Sequence, residues 1–159
     1  MINNSLHLRI YFYKGAGSLY DRAIRWWTNS PYSHCAVTLT DVQGDITLYE
    51  AIEGDGVRRA HVVDEIDLRP SQWDYIDIPV SSESWTRVGD WCNNERGCGY
   101  DWLGMLLSQV LFIPREHPDK WFCSEFAAAA LELLGLLYGA KPCTFSPGSL
   151  WRVMRGPCG

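Results

Sequence analysis

Period-two alternation fills the first half of this chain and helical spacing the second, and that segregation is what most narrows its fold. Strands that come first as a block, with helices after them, specify an α+β domain in which an antiparallel sheet packs against helices. His7 to Tyr13 alternates and is rich in Ile, Tyr and Phe, which predicts a strand. Gly15-Ala16-Gly17-Ser18 is a turn, and Ser18 is placed to cap a helix over Leu19 to Trp27, with Leu19, Ala23, Ile24 and Trp27 on one face. Asn29-Ser30-Pro31 stops that helix. Two strands, Ser33 to Thr40 and Ile46 to Ile52, are joined by the hairpin loop Asp41 to Asp45, which contains Gly44. Beyond the turn Gly54-Asp55-Gly56, Val57 to Val63 and Trp73 to Ile78 are two further strands, the last ended by Pro79.

The second half predicts a helix over Glu83 to Asn93, capped by Ser81 or Ser82 and broken by Gly97 and Gly99. Asp101 caps a second over Trp102 to Phe112, whose Leu103, Leu106, Leu107, Val110 and Leu111 form one stripe. After a polar loop from Ile113 to Lys120, Trp121 to Tyr138 is the strongest helical segment, rich in Ala and Leu and closed by Gly139. Ser146-Pro147 opens a last short helix through Met154. With no repeat, low-complexity tract or linker, residues 1–159 read as a single domain.

The net charge of -5, with no basic run beyond Arg58-Arg59, argues against a nucleic-acid partner. No apolar stretch has the length of a membrane span; the longest, Trp102 to Ile113, reads as a buried helix. Met1 to Ser5 has no signal-peptide pattern, so synthesis in the cytoplasm is expected, and delivery by a phage particle or another carrier would leave no mark. Of the six cysteines (35, 92, 98, 123, 143 and 158), Cys92 and Cys98 come nearest to a zinc knuckle but are six apart. Reduced thiols, no metal and no cofactor are therefore expected.

Cys123 falls within the first turn of the strong helix. The unpaired N–H groups there favour an anion, which makes a thiol a better nucleophile, and they can also hold an oxyanion. Taken alone, a Cys on an Ala-rich helix is more often a small packing residue. His34 lies on the first hairpin strand, on one face with Ala36 and Thr38; Glu50 lies on the partner strand, suitably placed to orient an imidazole. Glu53 competes for that role but faces the other way if the strand continues. Among the other histidines, His7 begins the first strand, His61 sits in a less certain strand, and His117, just before the helix, is a rival base. Each residue has a bland structural reading, yet together they make a nucleophile, base and orienter set.

Five segments in order, Tyr32-Ser33-His34-Cys35-Ala36-Val37, Tyr49-Glu50-Ala51 with Gly56-Val57-Arg58, Tyr100-Asp101-Trp102-Leu103-Gly104, Trp121-Phe122-Cys123-Ser124-Glu125-Phe126 and Phe145-Ser146-Pro147-Gly148-Ser149-Leu150, carry a resemblance. With His and Glu ahead of a late helical Cys, the chain resembles the circularly permuted branch of the NlpC-like papain-fold superfamily, which includes YiiX-like and lecithin-retinol-acyltransferase-like proteins. It looks closest to short members from phage and bacterial genomes. The resemblance implies a permuted papain-like fold, a triad of Cys123, His34 and Glu50, and Tyr32 as an oxyanion candidate. It also implies a peptide or amide substrate, foremost an amide of a cell-wall (peptidoglycan) peptide. An acyltransferase or lipid-ester hydrolase on the same fold would require a wide apolar channel beside Cys123. A non-catalytic phage structural module is the third reading.

Overall fold

The computed structural model describes residues 6–62 and 66–156; Met1 to Ser5, Cys158 and the Val63 end of the fourth expected strand lie outside the described residues. Five strands form one antiparallel sheet: β1 (His7–Tyr13), β2 (His34–Thr40), β3 (Ile46–Ile52), β4 (Gly56–Ala60) and β5 (Trp73–Pro79), in the order β4-β3-β2-β1-β5. Helix α1 (Leu19–Thr28) joins β1 to β2, and α2 (Ser82–Asn94), α3 (Trp102–Val110), α4 (Cys123–Leu133) and α5 (Pro147–Arg155) follow the sheet. The α+β class expected from the segregated pattern is the class observed.

The sheet sorts its side chains by parity. Leu8, Ile10, Phe12, Cys35, Val37 and Leu39 point to one face, where they pack with Val88 and Cys92 of α2, Phe126, Ala127, Ala130 and Leu131 of α4, and Leu150 of α5. Tyr11, Ala36 and Leu48 point to the other face, which Val62, Ile66 and Trp73 cover. Helix α4 lies deepest, with nine of its eleven residues buried, so its alanines let it approach the sheet closely. The caps read from sequence are made: Ser18 accepts from the Asp21 N–H, Ser81 from Ser84, Asp101 from Gly104 and Ser146 from Ser149.

The strongest helical segment is shorter than its composition suggests. Trp121 belongs to a two-residue strand, β7 (Lys120–Trp121), paired in parallel with β6 (Gly99–Tyr100). At the other end Gly135, at φ 75°, closes α4 ahead of Gly139, with the Leu136 N–H bonded to the Leu131 carbonyl at 3.1 Å. Likewise α3 ends at Val110, because Phe112 turns to φ 56°.

Gly56 joins β4 to the segment leading into β6. It sits at φ 71°, and a Cβ there would collide with the Cys98 carbonyl, which already accepts the Val57 N–H at 2.8 Å. Gly56→Ala adds a left-handed alanine to a backbone clash and is expected to destabilise the fold by about 2–4 kcal/mol. A lowered urea midpoint with an unchanged denaturant slope is the result to look for; an unchanged midpoint contradicts the packing argument.

Candidate active site

The β7–α4 junction fixes the thiol. Backbone bonds from Gly99 N–H to the Asp119 carbonyl (3.0 Å) and from Asp101 N–H to the Trp121 carbonyl (3.1 Å) hold β7 in place. Phe122 is extended, at φ -106° and ψ 163°, and the helix begins at Cys123. Glu125, three residues past Phe122, accepts the Phe122 N–H at 3.4 Å, and the Ser124 hydroxyl donates to the Phe145 carbonyl at 2.7 Å. Burial, with the charges of Asp101 and Glu116 adding to it, pushes the Glu125 carboxyl up to about 8 against the opposing Phe122 bond. At neutral pH it is therefore mostly uncharged and sets little negative charge in the turn that carries the thiol.

His34 enters from the first residue of β2, opposite Tyr13 of β1. Its Nε2 lies 2.9 Å from Glu50 Oε2, which leaves Nδ1 for the Cys123 thiol, close enough to act on the imidazole's protonation. Glu50 can reach His34 because β2 and β3 pair Val37 with Tyr49, so Glu50 stands on the same face as His34. Its other oxygen is gripped by Arg58, directly across β3–β4, through Nη2 at 2.7 Å and Nε at 3.0 Å. The Trp73 ring meets the imidazole edge-on, with centroids 6.2 Å apart at 71°.

Burial alone would push the His34 imidazole down. The neighbouring Cys123 side chain and the Glu50 carboxylate, bonded at 2.9 Å, outweigh it and raise His34 to about 10. Burial would likewise raise Glu50, but the bond and charge of His34, followed by those of Arg58, hold its carboxyl below the usual range. His34, braced by a carboxylate beside the Cys123 sulfur, can take the thiol proton as the sulfur attacks a carbonyl and deliver that same proton to the leaving atom.

Two cavities flank the site, one lined by Cys123 and the other by His34. On the helix side a groove of about 570 Å³ runs between α1 and α3, with Cys123 in its wall and Ala23, Ile24, Trp27, Leu103 and Leu106 along its length. The Trp27 Nε1–H donates to the Gln109 carbonyl at 2.9 Å, and Tyr20 meets Trp102 edge-on at 5.0 Å, so the two helices are tied across it. On the sheet side, a cavity of about 380 Å³ is lined by His34 and Glu50.

The remaining sequence candidates are placed elsewhere. Tyr32, the oxyanion candidate, is buried against Phe12 and Trp151 and its hydroxyl is committed to Asp74 at 2.7 Å. Glu53 is exposed in the turn after β3. His7 pairs with Asp77 at 2.8 Å, His61 is exposed, and His117 accepts the Asp119 N–H at 3.1 Å in a separate cavity beside Trp91 and Trp121. Cys35, Cys92, Cys98, Cys123 and Cys143 are all free thiols, and among the described residues no cluster of side chains is placed to hold a metal ion. No helix of the described residues is long and apolar enough to cross a membrane.

Sequence reasoning did not single out Arg58 as the clamp on Glu50, although the β3–β4 parity that sets Glu50 beside Arg58 could have found it. It also missed Tyr20 and Tyr100. Burial is the main reason both hydroxyls are raised, and the negative charge of Cys123 adds to it, so both stand near the thiol. No family model matches the chain, and no curated protein is similar to it.

Proposed function

We propose that this protein is a thiol-dependent acyl hydrolase with a permuted papain-like arrangement, using Cys123 as nucleophile, His34 as acid and base, and Glu50 as orienting carboxylate. The observation that carries the reading is His34 held by Glu50 at 2.9 Å and standing beside Cys123 at the start of a buried helix. Cys123 sulfur attacks the substrate carbonyl as His34 takes the thiol proton, and the Cys123 backbone N–H at the helix start receives the developing oxyanion. His34 then protonates the departing oxygen or nitrogen, leaving a thioester, and as a neutral base activates the water that hydrolyses it. Arg58 does not touch substrate; it holds Glu50, which holds the ring.

The groove favours one substrate class over another. A cell-wall peptide amide, the first expectation from the resemblance, is polar and charged, and the wall of α1 and α3 beside Cys123 offers it almost only carbon. A fatty acyl chain is the occupant that such a wall favours, which supports a lipid-ester or fatty-amide substrate over a muropeptide. Transfer of the acyl group to an acceptor other than water uses the same intermediate.

The test is a series of p-nitrophenyl esters from acetyl to decanoyl. Each added methylene buried in the groove is expected to raise kcat/KM by about threefold until the groove is full. A flat series, or faster release of muropeptides than of octanoyl esters, removes the acyl-chain reading and leaves only the thiol chemistry.

A further inference from the structure

The sheet-side cavity lies next to the same imidazole, but its chemistry is the reverse of the groove's. Its lining includes Tyr13, Arg58, Arg69, Gln72 and Trp73 besides His34 and Glu50. Most of its charges are matched. Glu50 is held by His34 and Arg58, while Asp21 caps Ser18, accepting from its N–H at 2.7 Å and its hydroxyl at 2.8 Å. Arg69 is different: it is exposed at the start of the 3-10 turn Pro70–Gln72, and its guanidinium forms no ion pair with a described residue. Among the described residues, the cavity thus offers one positive charge that no carboxylate pairs, at Arg69.

The geometry of acyl transfer gives this cavity a role. With the carbonyl carbon at the Cys123 sulfur and the acyl chain in the groove, the bond that breaks must point its leaving atom at His34, which delivers the proton. The leaving half therefore emerges on the imidazole side, into the polar cavity. Resting on the acyl-hydrolase reading, we propose that this cavity binds the leaving half of the substrate and that Arg69 selects leaving groups bearing an anionic group, a phosphate ester or a carboxylate. In the first step the sulfur–carbon bond forms, the carbon–oxygen or carbon–nitrogen bond breaks, and the His34 proton goes to the leaving atom. In the second step water supplies hydroxyl to the carbonyl carbon and a proton to His34 as the sulfur leaves; that proton then serves the next turnover.

Matched pairs test the proposal: octanoyl glycerol 3-phosphate against octanoyl glycerol, and octanoylglycine against octanoylglycinamide. The anionic member of at least one pair is expected to be favoured by about tenfold in kcat/KM, chiefly through KM, and the pair that discriminates tells phosphate from carboxylate. Arg69→Gln should reduce that preference to about twofold or less, and Arg69→Lys should keep most of it. Equal rates within both pairs, or a preference that survives Arg69→Gln, overturns the assignment. If no pair is cleaved, the hydrolase reading fails on its own, and ligand-observed NMR decides the cavity. Saturable binding of glycerol 3-phosphate or N-acetylglycine over their neutral analogues, lost in Arg69→Gln, upholds an anion site; no such preference removes it.

Discussion

Cys123→Ala is expected to lower kcat/KM by roughly 10⁴-fold or more while leaving the fold intact, since removing a nucleophile that acts as one unit with its base abolishes nearly all the catalysis of that unit. The fold should survive because the substitution deletes one sulfur from a residue already followed by a run of alanines on α4, and the backbone bonds that fix β7 do not involve the side chain. Unchanged far-UV circular dichroism and a stability loss of about 1 kcal/mol are the expected controls. Alkylation gives an independent reading. Burial pushes the thiols of Cys35, Cys92 and Cys143 up, Cys143 to about 11, and Cys98 is raised by burial and by Glu95. A limiting amount of iodoacetamide at mildly acidic pH should therefore mark Cys123 first among the described cysteines. Label spread evenly over these thiols, or full turnover by Cys123→Ala, rules out the nucleophile assignment.

The strands were legible as β-branched and aromatic runs bounded by turn residues; burial alternates along β5, whereas β2 and the middle of β3 are buried on both faces. His7–Tyr13 and Ile46–Ile52 begin and end where their patterns do. The same parity put Glu50, and not Glu53, beside His34. Partners distant in sequence left no comparable trace: nothing in Lys120-Trp121 announces a parallel pairing with Gly99-Tyr100, yet that pairing sets where α4 starts. Tyr32 illustrates a different gap. The resemblance made it an oxyanion candidate beside His34, but it lies ahead of β2, outside the strand's alternation, its ring packs against Phe12 and Trp151, and its hydroxyl meets Asp74. The groove was hidden for a physical reason. The apolar stretch of the third helix read as buried, but Leu103 and Leu106 are half exposed, and α1, with an apolar face of its own, buries no residue. An amphipathic stripe states that apolar company is needed; it does not say whether the chain or a ligand supplies it.

Glu50→Gln should lower kcat by about 10²–10³-fold, more than its small change in shape suggests, and Arg58 is the reason. The carboxylate accepts from both sides at once, from His34 on Oε2 and from Arg58 on Oε1. An amide has one acceptor oxygen. Turned toward His34, it aims its NH₂ at the guanidinium; turned toward Arg58, it aims the NH₂ at the imidazole N–H. Either choice sets donor against donor in a nearly buried position, so a stability loss of about 1–3 kcal/mol accompanies the loss of rate. A second substitution, Arg58→Leu, lets the oxygen of the introduced amide face His34 and should recover part of the lost kcat, a gain that simple damage to the fold does not predict. The pH dependence carries the sharper reading. His34, raised to about 10, contributes stability that is complete below its ordinary value near 6.5 and fades as pH rises through the folded value. Glu50, held low, contributes stability present above the ordinary carboxylate range and lost as pH falls through its lowered value. Glu50→Gln removes the carboxylate contribution and much of the force that raises His34. Melting temperatures from pH 4 to 10 should therefore fall most near neutrality, and the alkaline limb of kcat/KM should move down toward neutral pH, because imidazolium is the acid that frees the leaving group. An alkaline limb that stays where the wild type has it would show that Glu50 does not act on His34.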